Sequence, residues 1–141
     1  MDDPTEIAAA LGLEPLPIEG GLWTRSLTHP ALSSIYFLLV APEISAWHRL
    51  DRPELFVHHA GAPLTMRLIG PDGLRTHVLG MDLAAGERPQ VLIPAGTWQA
   101  SETASWTLVG TVVVPPYTDD CVEFGTPDLV RDYPELARLL P

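Results

Sequence analysis

The sequence predicts an all-β domain, built either as an antiparallel β-sandwich or as a β-barrel. Fifteen prolines and eleven glycines among 141 residues divide the chain into short segments and leave little room for long helices. Between these turn residues lie apolar or alternating segments rich in aromatic and β-branched residues, which favour strands. Many short strands joined by Gly/Pro turns are typical of sandwiches and barrels. The length predicts one domain spanning residues 1–141.

Helical structure is predicted only near the two ends of the chain. A short helix through Ala10 can be capped by Asp3 or Thr5 and stopped by Gly12. The tail over residues 128–140 carries spaced leucines and predicts one or two helical turns, interrupted at its internal proline.

Strand segments dominate the chain from Leu22 onward. The predicted strands are Ser33–Val40, Ile44–Leu50, Glu54–His59, Leu64–Ile69, Leu74–Leu79, Gln90–Ile93, Trp98–Glu102 and Trp106–Pro115. Gly70-Pro71-Asp72-Gly73 is a tight-turn signal and predicts a hairpin between its two flanking strands. Asp51-Arg52-Pro53 is interpreted in the same way, as the turn of a second hairpin.

Charge and composition exclude several classes of partner. The net charge is −10, and no stripe of Lys or Arg is present that could neutralise phosphates, which argues against nucleic acid and anionic membrane surfaces. No apolar run approaches the ~18 residues of a membrane span, and Met1-Asp2-Asp3 has the wrong charge for a signal peptide. Cys121 is the single cysteine, which favours a reducing compartment. We therefore expect a cytoplasmic protein whose partner is a small molecule.

Three polar residues form the strongest candidate site. His48 and Glu54 lie on either side of the Asp51-Arg52-Pro53 turn, and a second turn signal at Pro94–Gly96 delivers Gln99 about forty residues later. Because side chains alternate along a strand, all three can converge inside a barrel. The alternative is a surface His–Glu pair at a turn, with Gln99 an ordinary amide bonded to backbone.

Further residues are assigned to this pocket with secondary roles. Tyr36 lies in a buried strand and is interpreted either as a core aromatic residue or as a phenol that donates a proton. The residues expected to contact substrate are Phe56, His58, Trp47 and Trp98. The acidic run over residues 117–123 is interpreted as a solvated loop over the barrel mouth.

The spacing around these residues resembles the two motifs of the cupin superfamily. In the first, G-x5-H-x-H-x3,4-E-x6-G, His48, Glu54 and Gly61 fit, whereas Leu50 replaces the second His. In the second, G-x5-P-x-G-x2-H-x3-N, Pro94 and Gly96 fit, but Gln99 replaces the His and Thr103 the Asn. The resemblance implies a cupin-type antiparallel β-barrel, or jelly roll, with short helical segments at both ends.

The replaced positions resemble one branch of that superfamily, DUF985 or cupin-5. Its pattern is matched by Ser33–Leu39, Ser45–Arg49, Pro89–Gln99 and Trp106–Gly110, and the match covers roughly residues 5–125. The chain departs from the branch near the N-terminus, where the family's H-P-E-G-G-Y-F reads Pro17-Ile18-Glu19-Gly20-Gly21-Leu22-Trp23. Because such differences change a pocket, no family substrate is carried over.

The chemistry of the predicted site allows two routes to one reaction class. His48, Glu54 and Gln99 form a mixed N/O ligand set that suits one divalent ion (Zn, Mn, Fe or Ni), and no organic cofactor is expected. Without a metal, His48 paired with Glu54 is a competent general base and Tyr36 an acid. Both routes predict proton transfer next to a carbonyl, as in an isomerase, an epimerase, or a related lyase or cyclase. The alternatives are an iron oxygenase and a non-catalytic small-molecule-binding barrel.

We also expect a homodimer. Cupins commonly pair through strand exchange or sheet packing, and the apolar segment around Leu13, Leu16 and Leu22 could supply the buried surface.

Overall fold

A computed structural model describes residues 2–141 as two antiparallel β-sheets packed face to face in a jelly roll. Sheet A has the strand order β1-β2-β3-β10-β5-β8, and sheet B has the order β11-β4-β9-β6-β7. The strands are β1 (Glu14–Pro15), β2 (Leu22–Thr28), β3 (Ser33–Val40), β4 (Ser45–Leu50), β5 (Glu54–Gly61), β6 (Leu64–Gly70), β7 (Gly73–Leu79), β8 (Gln90–Ile93), β9 (Trp98–Thr103), β10 (Trp106–Val113) and β11 (Val122–Phe124). The predicted all-β jelly roll is thereby confirmed.

The α-helix and the two longest 3₁₀ segments lie at the ends of the chain, as predicted, but two short 3₁₀ turns that were not predicted form at Leu83–Ala85 and Asp119–Cys121. Helix α1 (Pro4–Leu11) begins after Asp3, whose side chain accepts a hydrogen bond from the backbone of Thr5, and it ends at Gly12 in the left-handed conformation. Short 3₁₀ segments form at Pro127–Val130 and Pro134–Leu139 near the C-terminus. A proline thus begins each of these two segments, where its missing N–H has no helical partner to lose.

The hydrophobic core divides between the interior of the jelly roll and the outer face of sheet B. Inside, residues of both sheets pack together, for example Phe37 and Val109 from sheet A against Met66 from sheet B. Outside sheet B, Trp47 packs against Leu136 and other residues of the C-terminal turns. The tail therefore covers an apolar sheet face that would otherwise be in water.

One predicted hairpin is present and the other is wrong. Strands β6 and β7 pair across Gly70 and Gly73. Strands β4 and β5, in contrast, belong to different sheets: β4 pairs with β9 and β11, and β5 pairs with β8 and β10. The segment Asp51–Pro53 is therefore a crossing between the two sheets. His48 and Glu54 consequently lie on opposite walls of the interior.

The N-terminal segment expected to supply a dimer surface is partly used within the chain. Leu16 packs against the interior core of its own jelly roll. In the part of the chain that the structure describes, no helix has both the length and the apolar character needed to cross a membrane.

Candidate active site

A cavity of about 280 Å³ lies between the two sheets and opens at one end of the jelly roll. Its walls are mostly apolar and include Trp23, Ile35, Phe37 and Phe56 of sheet A. Its polar lining residues are few and come from distant parts of the sequence. Small-molecule sites commonly combine apolar walls with a few convergent polar groups, and this volume suits a small ligand.

His48 projects into the cavity from β4 and is held in one tautomer. Its ring is buried, and Nδ1 lies 2.7 Å from the carbonyl oxygen of Ala46. Because a carbonyl oxygen can only accept, Nδ1 carries a proton and donates it there. The other nitrogen, Nε2, lies 3.4 Å from Oε1 of Glu19. Nε2 is therefore the nitrogen available to take up a proton from a ligand.

Glu54 faces His48 from the first position of β5. Its side chain is only 8% exposed, and Gln99 donates a hydrogen bond from Nε2 to Oε1 of Glu54 over 2.9 Å. Burial raises the pKa of Glu54, and the nearby carboxylate of Glu19 raises it further. The charge of His48 and the hydrogen bond from Gln99 lower the pKa and partly offset this rise. Glu54 thus holds its proton to higher pH than an ordinary glutamate, which makes it a candidate proton donor.

Gln99 does not line the cavity, but it reaches from sheet B to the Glu54 carboxyl on sheet A. It is buried on β9, directly opposite His48 in the strand register. The structure therefore brings the three predicted residues together, with His48 and Glu54 in the cavity wall and Gln99 orienting the Glu54 carboxyl.

Glu19 is a site residue that the sequence argument did not assign. It lies in the turn before β2, accepts a hydrogen bond from Ser45 Oγ at 3.0 Å, and accepts another on its backbone oxygen from the N–H of Ala46. These contacts tie the turn to β4 and place the carboxylate beside His48. The available signal was the retained Glu19-Gly20-Gly21 segment of the family motif.

The glycines after Glu19 allow this turn to fit. Gly21 has φ +81°, and a Cβ atom there would collide with the ring of Phe37, a cavity wall residue. Gly86 has a comparable φ of +90°, but a Cβ atom there would meet open space. Both positions therefore need a positive φ, and only at Gly21 would a Cβ atom also collide with a neighbour.

We accordingly expect Gly21→Ala to destabilise the protein more than Gly86→Ala. The Gly86 change should cost about 1–2 kcal/mol from left-handed strain alone, and the Gly21 change should cost about 1–3 kcal/mol more from overpacking. Urea unfolding of both variants measures the difference. Equal losses would contradict the proposed packing of the turn against Phe37.

Tyr117 and Thr111 complete the polar lining. Tyr117 is half-buried at the mouth, where burial and, secondarily, nearby acidic groups raise its pKa to about 12, so its phenol stays protonated. Thr111 lies near Glu54, but its Oγ1 is buried without a hydrogen-bond partner among residues 2–141. A buried hydroxyl in a cavity wall is well placed to bond to a ligand or water. The sequence predicts a solvated loop over the mouth for residues 117–123; Tyr117 lies at the mouth, but it is half-buried there instead of solvated.

Strand alternation removes two aromatic residues from the predicted pocket. Tyr36 precedes Phe37 and so faces the outer side of sheet A, where its ring lies 6.0 Å from that of His59. Trp47 precedes His48 and faces the outer side of sheet B, where its indole N–H donates to the carbonyl of Leu136 over 3.0 Å. The expectation that these two residues face the pocket is corrected accordingly.

Two further residues also lie outside the cavity lining. Trp98 precedes Gln99 and packs outside sheet B, with the guanidinium of Arg49 4.5 Å from its ring centre. His58 is half-buried and lies outside the cavity lining. Its Nε2 lies 3.2 Å from the carbonyl oxygen of Ala62. Of the four predicted substrate contacts, only Phe56 lines the cavity.

The predicted metal ligands do not fit a metal centre in this arrangement. Gln99 directs its amide nitrogen, which cannot coordinate an ion, at Glu54. Within residues 2–141, no group of three or more His, Cys, Asp or Glu side chains is placed to hold a metal.

A protein-family model described as Cupin superfamily (DUF985) matches residues 5–125. The chain belongs to this cupin family. Among solved structures, protein SO0799 from Shewanella oneidensis is 38% identical, with a TM-score of 0.89 over 100% of this chain and 99% of that chain. A hypothetical protein from Leishmania major is 25% identical, with a TM-score of 0.86 over 96% of this cupin and 97% of that chain.

More distant structures share only the fold with this cupin. KdgF from Halomonas sp. is 13% identical, with a TM-score of 0.58 over 77% of this chain and 88% of that chain. A search of curated proteins gives no match. The activity of this cupin therefore has to be argued from its own cavity.

Proposed function

We propose that this cupin catalyses proton transfer next to the carbonyl group of a small molecule, as an isomerase, an epimerase, or a related lyase or cyclase does. The observation that carries the proposal is the pair of His48 and Glu54 facing each other across an apolar cavity. His48 presents Nε2 to the cavity beside Glu19, because its Nδ1 is bonded to a backbone carbonyl. The other is a carboxyl whose pKa is raised by burial. An imidazole nitrogen that faces the cavity and a carboxyl that keeps its proton can act as base and acid on the same substrate.

The reaction follows from these two protonation states. His48 Nε2 removes a proton from the carbon next to the carbonyl, while Glu54 donates its proton to the carbonyl oxygen, which gives a neutral enol. Glu19 lies beside Nε2 and stabilises the positive charge that appears on the imidazole. The enol then collapses: its hydroxyl returns a proton to Glu54, and the carbon that lost a proton regains one from His48, which restores the carbonyl.

Gln99 and the apolar walls support this chemistry. The bond from Gln99 holds the Glu54 carboxyl in place next to the Thr111 side chain. The apolar walls exclude water, which would otherwise compete for both groups. No step in this scheme passes through a metal ion.

We expect the wild-type protein to speed the exchange of deuterium from D₂O into carbons next to a carbonyl. Short-chain keto acids and their methyl esters are suitable probes, because the cavity holds only a small molecule. Proton NMR follows the loss of signal at those carbons, with protein-free solution as the background. Oxygen uptake during the same incubation would instead favour an oxygenase. Binding of a probe without any exchange would favour a non-catalytic binding barrel.

A further inference from the structure

Arg25 is the one cationic side chain that lines the cavity, apart from any charge on His48. It lies on β2, paired in register with Ile35 of β3, and it is exposed towards the mouth. The other charged lining residues, Glu19, Glu54 and Asp119, are acidic. Arg25 makes no ion pair with any of them.

Arg25 also differs from every other arginine of the chain. All eight basic residues are arginines, and the protein has eighteen acidic residues with which to pair them. Six of the others form ion pairs: Arg49, Arg52, Arg67, Arg75, Arg131 and Arg138. Arg88 donates to two backbone carbonyls. Within residues 2–141, Arg25 alone has neither an ion pair nor a side-chain hydrogen bond.

The strand register places Arg25 in line with the reacting groups. Arg25 is opposite Ile35, Ile35 is opposite Thr111 of β10, and Thr111 is opposite Phe56 of β5. Two strand spacings, about 10 Å, separate the Cα atoms of Arg25 and Thr111. Glu54 lies two residues before Phe56 on β5, so its side chain is the next one along on the same face of the sheet. A short molecule can therefore reach from Arg25, past the unpaired Thr111 hydroxyl, to Glu54.

We infer that the substrate carries an anionic oxygen group, a carboxylate or a phosphate, which Arg25 binds at the cavity mouth while the carbonyl points towards Thr111 and Glu54. This assignment rests on the proposed function for the position of the reacting end. The guanidinium matches both anions because its planar N–H groups can donate to two oxygens at once. A free arginine also offsets the repulsion that a chain of charge −10 exerts on an anion.

The test compares probes that differ in charge at one end. Keto acids, their uncharged methyl esters and keto phosphates of similar length are titrated by calorimetry into the wild type, Arg25→Gln and Arg75→Gln. Arg75 is the matched control, because it is exposed on β7 and lies outside the cavity lining. Thermal unfolding of each variant verifies that it folds, and the carboxylate and phosphate series show which anion is preferred.

The wild type and Arg75→Gln should bind at least one anionic probe roughly tenfold to a hundredfold more tightly than its ester, and Arg25→Gln should lose that preference. Equal affinity for anion and ester in the wild type, no binding of any probe, or an unchanged preference in Arg25→Gln would overturn the inference. Deuterium exchange separates the two proposals. If the anionic probe binds more tightly only when Arg25 is present, but no deuterium exchange occurs, the anion site is supported and the proposed reaction is contradicted. If acid and ester exchange deuterium equally well, the reaction is supported and the anion site is contradicted.

Discussion

Replacing His48 with alanine is expected to slow deuterium exchange next to a carbonyl by about 10²- to 10⁴-fold, the usual contribution of a positioned general base. The imidazole is the group whose free nitrogen faces the cavity, and its orientation is set by the backbone carbonyl of Ala46. Proton NMR in D₂O with the same keto acid probes measures the loss.

His59→Ala is the matched control for this substitution. His59 lies on β5 but is exposed on the outer side of sheet A beside Tyr36. Its loss should leave the exchange rate within about twofold, since surface substitutions away from the site have small effects. Similar rates for His48→Ala and the wild type would show that His48 is not the base, and the cavity would then be better described as a binding pocket.

Replacing Glu54 with glutamine should stabilise the protein at neutral pH and remove its activity. Glutamine can still accept the hydrogen bond from Gln99 at its carbonyl oxygen, but it has no charge to bury and no proton to transfer. We expect the free energy of unfolding at neutral pH to rise, because the glutamine carries no charge that burial would have to strip of water. Deuterium exchange should fall by about 10²-fold or more.

The stability that Glu54→Gln adds should grow as pH rises from the acidic range towards neutral pH. The pKa of Glu54 in the folded protein lies above its ordinary value of 4.5, so the folded state binds more protons than the unfolded state above that pH. The wild type therefore loses stability as pH rises from about 4.5 through the raised pKa of Glu54. Below pH 4.5 Glu54 is protonated in both the folded and the unfolded state, so the wild type has not yet lost this stability.

Thermal unfolding of the wild type and Glu54→Gln across pH measures this difference. The gap in melting temperature should be small below pH 4.5 and should widen towards neutral pH. Glu14→Gln is the control, since Glu14 is exposed and should show no such widening. A Glu54→Gln variant that is less stable than the wild type at neutral pH would contradict the buried, proton-holding carboxyl.

Much of the candidate site followed from strand alternation applied to single strands. His48, Glu54 and Phe56 were placed on inner faces, and all three line the cavity. The same rule, applied consistently, excludes Trp47 because it neighbours His48 and Trp98 because it neighbours Gln99. Both were assigned to the pocket because they are aromatic, but an aromatic side chain packs equally well under the C-terminal turns outside sheet B.

The pairing of strands could not be obtained from local pattern. The Asp51–Pro53 turn has the composition of a hairpin turn, yet it joins sheet A to sheet B. Whether two neighbouring strands pair depends on which other strands compete for their edges, and β9, β10, β8 and β11 take these positions. This competition is settled by the packing of the whole chain.

The sequence by itself determined, through its resemblance to the cupin motifs, a cupin-type jelly roll, and it also determined eight of the eleven strands and that His48 and Glu54 face the interior. Periodicity, turn residues and motif spacing are local properties, and they are sufficient for these conclusions. Only the tertiary structure decided that Glu19, Arg25, Thr111 and Tyr117 join them, because these residues come from four separate segments. Their convergence depends on strand order, on the Glu19–Gly21 turn docking against β4, and on burial, which also determines the proton affinity of Glu54.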